Sequence, residues 1–171
     1  MIDIYDNFIP LRTVKSIEHL LISSQAWYFS WDEKQGFMEN RWISRDVPGY
    51  SLGTIRNREQ FDQIDNLLLS FLNKEFDTSK IIRVFVNCFG KGDVTQWHTD
   101  PGGKSYMIYL TSEWNRHWGA PTSFKNKRKI YPKPGRLVVF SADIEHKGNA
   151  PTIFMPKYFP GRFSMVFQER S

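Results

Sequence analysis

The chain has 171 residues, of which 40% are apolar and 16% aromatic, and its formal net charge is +5. That length fits one domain with its own core, and that composition excludes a disordered chain. A single cysteine, Cys88, excludes an intramolecular disulfide, and no apolar run approaches the length that spans a bilayer.

The opening residues MIDIYDNFIP lack the basic-then-apolar order of a secretory signal, so a cytoplasmic location is expected. Ile2–Tyr5 reads as a short strand. Leu11, Val14, Ile17, Leu20 and Leu21 then recur at helical spacing, and Pro10 suits a first helical turn. A strand is expected around Trp27–Trp31. After it comes a long irregular stretch to about residue 58, containing Gly36, Pro48, Gly49 and Gly53, and long loops of this kind often serve as lids. Phe61, Ile64, Leu67, Leu68, Phe71, Leu72 and Phe76 form the apolar stripe of a second helix, with Asp62, Asp65 and Lys74 assigned to its polar side.

From residue 83 the period changes to that of strands. Arg83–Phe89, Ser105–Leu110, Arg136–Phe140 and Arg162–Gln168 are short, rich in branched or aromatic residues, and separated by Gly/Pro clusters. Helices first and strands afterwards predict a mainly β protein with flanking helices on one face of a two-sheet jelly roll. Charge is uneven: residues 1–100 carry a net −3 and residues 101–171 a net +8. The densest run, Lys125, Lys127, Arg128 and Lys129, fits a solvated hairpin tip or a docking patch for an anionic partner.

Two constellations carry chemistry. In Gln96-Trp97-His98-Thr99-Asp100, residues i and i+2 of an extended segment project the same way, so His98 and Asp100 share a face. With His146, they make the two-histidine, one-carboxylate set that suits non-haem iron(II) and leaves positions open on the metal. Singly, each has an ordinary explanation: a hydrogen-bonded structural histidine, a turn residue before Pro101-Gly102-Gly103, and a surface-loop histidine. His19, in a helix, and His117, in a loop, are poorer candidates. The second constellation is Arg162-Phe163-Ser164-Met165-Val166-Phe167-Gln168, where alternation places Arg162, Ser164, Val166 and Gln168 on one face. A buried guanidinium needs a partner, and a dicarboxylate supplies one through paired hydrogen bonds, with Ser164 as a further donor. Tyr109, in an apolar strand, is another candidate donor or else a core tyrosine.

Taken together, the stretch from Arg83 to the C-terminus resembles the 2-oxoglutarate/iron(II) oxygenases, most nearly their prolyl 4-hydroxylase-like branch. Asn87-Cys88-Phe89 with Gly92 and His98-Thr99-Asp100 is similar to the family's approach to its first metal strand. Tyr109-Leu110-Thr111-Ser112-Glu113-Trp114 resembles its Tyr-Leu-Asn…Trp segment. Pro132-Lys133-Pro134-Gly135-Arg136-Leu137-Val138-Val139-Phe140, then His146 and Pro151, resembles its Pro-x-x-Gly-x-x-x-x-Phe…His…Pro block. Arg162-Phe163-Ser164 matches its Arg-x-Ser.

The resemblance implies a single domain over 1–171: N-terminal helices, strands and lid to residue 82, then a double-stranded β-helix (a cupin-like jelly roll). The helices would pack on its major sheet. It implies iron(II) on His98, Asp100 and His146, 2-oxoglutarate on Arg162 with Tyr109 and Ser164, and dioxygen as oxidant. Ascorbate is the expected reductant. Hydroxylation would follow, with succinate and carbon dioxide as co-products. Phe89 stands where many relatives have a co-substrate-binding tyrosine, so Asn87 or Tyr109 must compensate. Gly119-Ala120 replaces a frequent Gly-Gly.

The substrate is expected to be a prolyl residue of a peptide or protein. A free amino acid or other small molecule is the alternative. Against nucleic-acid demethylation, that branch adds a second arginine where this chain has Gln168. Residues Glu33–Arg58, with Trp42 and Tyr50, are candidates to cover the substrate or to plug the sheet edge. A non-catalytic metal module stays open, as does a zinc hydrolase, although the latter has no need of an inward arginine.

Overall fold

The computed structural model describes residues 1–23, 30–32, 37–39, 41–45, 58–91, 96–157, 159 and 161–171. In chain order these form β1 (Ile2–Tyr5), α1 (Leu11–Ser23), β2 (Ser30–Asp32), β3 (Phe37–Glu39), β4 (Arg41–Arg45) and α2 (Arg58–Leu72). Seven strands follow: β5 (Ile81–Phe89), β6 (Lys104–Tyr109), β7 (Thr122–Phe124), β8 (Lys129–Ile130), β9 (Leu137–Ser141), β10 (His146–Gly148) and β11 (Arg162–Glu169). No helix among the described residues is long and apolar enough to cross a membrane.

Six strands make one antiparallel sheet in the order β1-β9-β6-β11-β5-β4. A second, three-stranded sheet runs β10-β7-β8, and a backbone bridge between His98 and His146 extends it past β10. Register decides which residues share a face. Ser164 lies opposite Asn87 on one side and Tyr109 on the other, and Val166 lies between Phe85 and Met107. These residues point toward the second sheet, where Phe85, Met107, Tyr109, Val138, Phe140 and Val166 bury against Phe124 and Ile130. The intervening residues Val84, Val86, Ile108, Phe163, Met165 and Phe167 form the other face. They join one apolar cluster with Val14, Ile17 and Leu21 of α1 and Ile64, Leu68 and Leu72 of α2. One sheet thus separates a helix-covered core from the interior that the two sheets share.

The helices start and stop for local reasons. Pro10 precedes α1, and its carbonyl accepts from Thr13 N–H and Val14 N–H at 2.9 and 3.1 Å. The stripe of the second helix was expected to run on to Phe76, but α2 ends at Leu72. Phe76 instead folds back, donating its N–H to Leu72 O, and sets its ring edge-on to Tyr106 at 5.2 Å. Asp65, expected on the polar side, is fully buried. It is flanked by Ile64 and sits one turn before Leu68, so it lies on the margin of the stripe.

The stretch expected to be irregular contains two strands, β3 and β4. The last is an edge strand of the large sheet, with Arg41 opposite Asn87 and Trp42 opposite Val86. Trp42 thus belongs to a sheet-edge strand; nothing in its periodicity signals this, because an edge strand takes its partner from elsewhere in the chain. The expected strand around Trp27 is described only over Ser30–Asp32. Tyr50 and most of the segment Glu33–Arg58 lie outside the described residues, as does Gly92.

Candidate metal centre and anion pocket

The first half of the site forms because two segments far apart in the chain pair as antiparallel neighbours. His98 N–H donates to His146 O at 3.0 Å, and His146 N–H donates to His98 O at 2.9 Å. Directly opposed residues of such a pair put their side chains on the same side. The two rings lie 4.5 Å apart, centre to centre. Asp100, two residues past His98, projects the same way, and its N–H is fixed on Ala142 O at 2.9 Å. The chain then turns sharply into β6 at Gly102 (φ +98°), where a Cβ would sit 1.9 Å from Glu169 O, so no other residue fits there.

One ligand atom from each of His98, Asp100 and His146 lies within 4.8 Å of the others. The carboxylate is 3.9 Å from His98 Nε2 through Oδ1 and 3.6 Å from His146 Nε2 through Oδ2. Both imidazoles are oriented alike: the Nδ1 of His98 is 3.0 Å from Gln96 O and that of His146 is 3.0 Å from Ile144 O. A carbonyl only accepts, so Nδ1 carries the proton and Nε2 offers its lone pair inward, as metal-binding histidines require. Burial pushes the His146 imidazole below its usual range, against the raising effect of the Asp100 carboxylate, and so favours the neutral, ligating form. Phe124 and Phe140 wall His146 on the apolar side, with ring centres at 5.8 and 4.7 Å. The His98 side chain is 39% exposed, so the cluster opens to solvent there.

Sequence reasoning missed Ser105. Its hydroxyl donates to Asp100 Oδ2 at 2.5 Å and locks that carboxylate in place. The only signal was alternation within β6, which turns Ser105 inward with Met107 and Tyr109.

The second half is built around Arg162, which is 1% exposed. Its Nη1 donates to Ala120 O at 3.0 Å and to Thr122 Oγ1 at 3.3 Å, so the side chain bridges from β11 to the second sheet. Its guanidinium carbon lies 4.4 Å from the centre of the Phe89 ring and 5.5 Å from that of Tyr109. Phe89 therefore supplies a face to the arginine, and Gly148 lets it do so: a Cβ at Gly148 would lie 2.7 Å from Phe89 Cζ. Ala120 (φ +50°) is in the left-handed region, a strained conformation for a residue with a Cβ, and it is this turn that aims its carbonyl at Arg162. The Gly119-Ala120 substitution thus bears on the anchor of the arginine itself.

Tyr109, expected to donate to the same ligand as Arg162, has its hydroxyl engaged elsewhere. It is 2.9 Å from Thr122 Oγ1 and donates to Ile130 O at 3.1 Å. Burial holds its pKa up and the hydroxyl protonated. Its single hydrogen reaches a bound ligand only by leaving Ile130. His19 and His117 are both exposed and stand apart from the cluster.

Among the described residues no carboxylate lies in ion-pair range of Arg162, and its Nε is buried without a hydrogen-bond partner. Ser164 Oγ and Asn87 Oδ1 are buried and unpartnered in the same way. Burial without a counter-charge pushes the guanidinium below its usual range. A desolvated cation next to an orphaned hydroxyl is costly unless an anion completes it. The donors suit a carboxylate, and the nearby His/His/Asp cluster suits a divalent metal.

Residues 84–167 match the model of the 2OG-Fe(II) oxygenase superfamily. The match covers the β core of the chain, which is similar to that superfamily. Its members use iron(II), 2-oxoglutarate and dioxygen, and the two pockets fit the first two. Solved structures show the same fold. A 2OG-Fe(II) oxygenase family oxidoreductase from Burkholderia pseudomallei is 17% identical with a TM-score of 0.68, over 99% of this chain and 88% of that one. The viral collagen prolyl hydroxylase of Paramecium Bursaria Chlorella virus-1, in its 2OG complex, is 18% identical with a TM-score of 0.62, over 97% and 93%. A Trichoplax adhaerens prolyl hydroxylase in complex with a hypoxia inducible factor oxygen degradation domain peptide is 17% identical with a TM-score of 0.61, over 98% and 83%. No curated protein matches the sequence. The matched core thus pairs its two histidines at the second sheet, while its arginine reaches from the large sheet to Ala120 and Thr122.

Proposed function

We propose that this 2OG-Fe(II) oxygenase hydroxylates a prolyl residue of a peptide or protein, with His98, Asp100 and His146 holding iron(II). The observation that carries the co-substrate assignment is the buried Arg162, whose guanidinium has an unpartnered Nε next to the unpartnered Ser164 hydroxyl. A diacid places its distal carboxylate there. Arg162 holds it by charge-assisted hydrogen bonds, Ser164 donates another, and Asn87 donates once its amide is turned about its last torsion. Thr122, held by Tyr109, keeps the guanidinium from swinging away. Bound iron(II) with 2-oxoglutarate and dioxygen supplies the oxidation, in which the co-substrate leaves as succinate and carbon dioxide and one oxygen atom passes to the substrate; ascorbate is the reductant that keeps the metal ferrous.

The remaining tasks fall to the chain. Gln96 O and Ile144 O hold the two imidazoles in the ligating tautomer, and Ser105 holds the carboxylate. Phe124, Phe140 and Val166 exclude water from the interior side. The open side at His98 admits the substrate. A peptide substrate is favoured by the structures with this fold, which include prolyl hydroxylases, one of them bound to a peptide.

The test is to supply the purified protein with iron(II), ascorbate and 2-oxoglutarate under air. Slow succinate formation without substrate is expected, and faster formation with a proline-containing peptide that gains the mass of one oxygen atom. No succinate under any of these conditions would sink the oxygenase reading. Succinate coupled only to a free amino acid would replace the peptide reading with the small-molecule one.

A further inference from the structure

The register that turns His98 and His146 into the interior turns their neighbours Trp97 and Lys147 to the outer face of the second sheet. Lys147 lies opposite Ser123, which lies opposite Lys129, and Lys125 follows Ser123 by two residues. The outer face is therefore a row of ammonium groups beside one tryptophan. Lys125 Nζ and Lys147 Nζ stand 5.3 and 5.2 Å from the centre of the Trp97 ring, which is 38% exposed. Trp97, Lys125, Lys127, Lys129 and Lys147 line a recess of about 370 Å³. Lys125 pairs with Glu145 at 3.5 Å, but among the described residues no carboxylate pairs with Lys127, Lys129 or Lys147. On the far side of Lys129 a second recess, of about 380 Å³, adds Arg116, Arg128, Lys133 and Arg136. Asp6 meets the last two.

We propose that this face docks an acidic segment flanking the target residue of a peptide or protein substrate. The inference rests on the peptide reading of the site. Its basis is charge complementarity together with position: the patch begins one residue from each of the two histidines, on adjacent strands. An extended peptide advances about 3.3 Å per residue, so a chain whose target sits at the metal reaches the lysines within a few residues. The two linked recesses suit an extended anionic chain better than a small ion. Nucleic acid is the poorer fit, because single strands need aromatic faces free for base stacking and Trp97 is already bracketed by two ammonium groups.

The experiment compares labelled peptides with one central proline and either glutamate or glutamine flanks. Anisotropy is read on the full chain with iron(II) and 2-oxoglutarate, kept anaerobic. Tighter binding of the glutamate peptide by roughly tenfold at low salt is expected, falling as salt rises. The triple substitution Lys125→Gln, Lys127→Gln and Lys129→Gln should erase that preference while leaving substrate-free succinate formation intact. Equal binding of the two peptides, an unaffected triple variant, or tighter binding of a single-stranded oligonucleotide of matched charge would each overturn the docking face. Charge-selective binding in a protein that forms no succinate would uphold the docking face and defeat the catalytic reading instead.

Discussion

Arg162 and Ser105 are the two side chains whose roles separate most sharply. Arg162 reaches nothing in the metal cluster directly, so its replacement should leave the metal alone. Arg162→Lys keeps the charge but loses the planar fork and the stack on Phe89, and a charge-assisted pair is worth about 1.5–3 kcal/mol. The apparent KM for 2-oxoglutarate should rise roughly ten- to a hundredfold, with iron affinity unchanged by calorimetry. Equal loss of both would make Arg162 a structural residue. Ser105→Ala should do the reverse. A hydrogen-bonded partner of a ligating carboxylate typically contributes ten- to a hundredfold in metal affinity, roughly the loss expected here. Calorimetry with iron(II), and circular dichroism to confirm an unchanged fold, would check it.

At the scale of elements, α2 presents two leucines in succession with opposite fates. Leu68 is fully buried in the cluster that joins the helices to the large sheet, whereas Leu67 is 41% exposed. Leu68→Ala should cost about 2–5 kcal/mol in urea unfolding and Leu67→Ala no more than about 1 kcal/mol. Comparable costs would mean that α2 sits on the sheet by another face. The sequence foretold both helices, because an apolar stripe at helical spacing is a local pattern that needs burial somewhere. It also foretold the inward side of β11, because alternation along a strand is set by its own pleat. It did not foretell β4, since its place at the edge depends on pairing with β5, and nothing within Arg41–Arg45 announces that partner.

Across the whole molecule, the N-terminal turn is tied to the second half of the chain by Asp6. It accepts from Arg136 Nε at 2.6 Å and from Lys133 Nζ at 2.8 Å. The hydrogen bond from Arg136, then that from Lys133, pulls its pKa down from 3.8 to about 2. A folded-state pKa below the unfolded one means stability that is complete above about pH 4 and is lost as the pH falls toward about 2. The shift alone corresponds to roughly 2.5 kcal/mol. Because the side chain is 39% exposed, solvent screening cuts this to about 1 kcal/mol or less. Asp6→Asn should therefore lower the unfolding free energy measured in urea at pH 7 by that amount, more at low salt than at high, with most of the difference gone near pH 2. An unchanged difference at both pH values would assign the effect to packing.

What the sequence by itself determined was local: His98 and Asp100 on one face, Arg162 and Ser164 on another, the two helical stripes, and the basic run at the β7–β8 turn. These follow from fixed side-chain periods of two and of 3.6 residues, which any segment carries with it. Only the tertiary structure decided that His146 pairs back-to-back with His98, that Ser105 grips Asp100, and that Ala120 lends Arg162 its carbonyl. The same holds for the Tyr109 hydroxyl, spent on Thr122 and Ile130, and for the outer lysines gathered around Trp97. Each depends on the register between strands distant in the chain, and register is a property of the packed sheet that no single strand encodes.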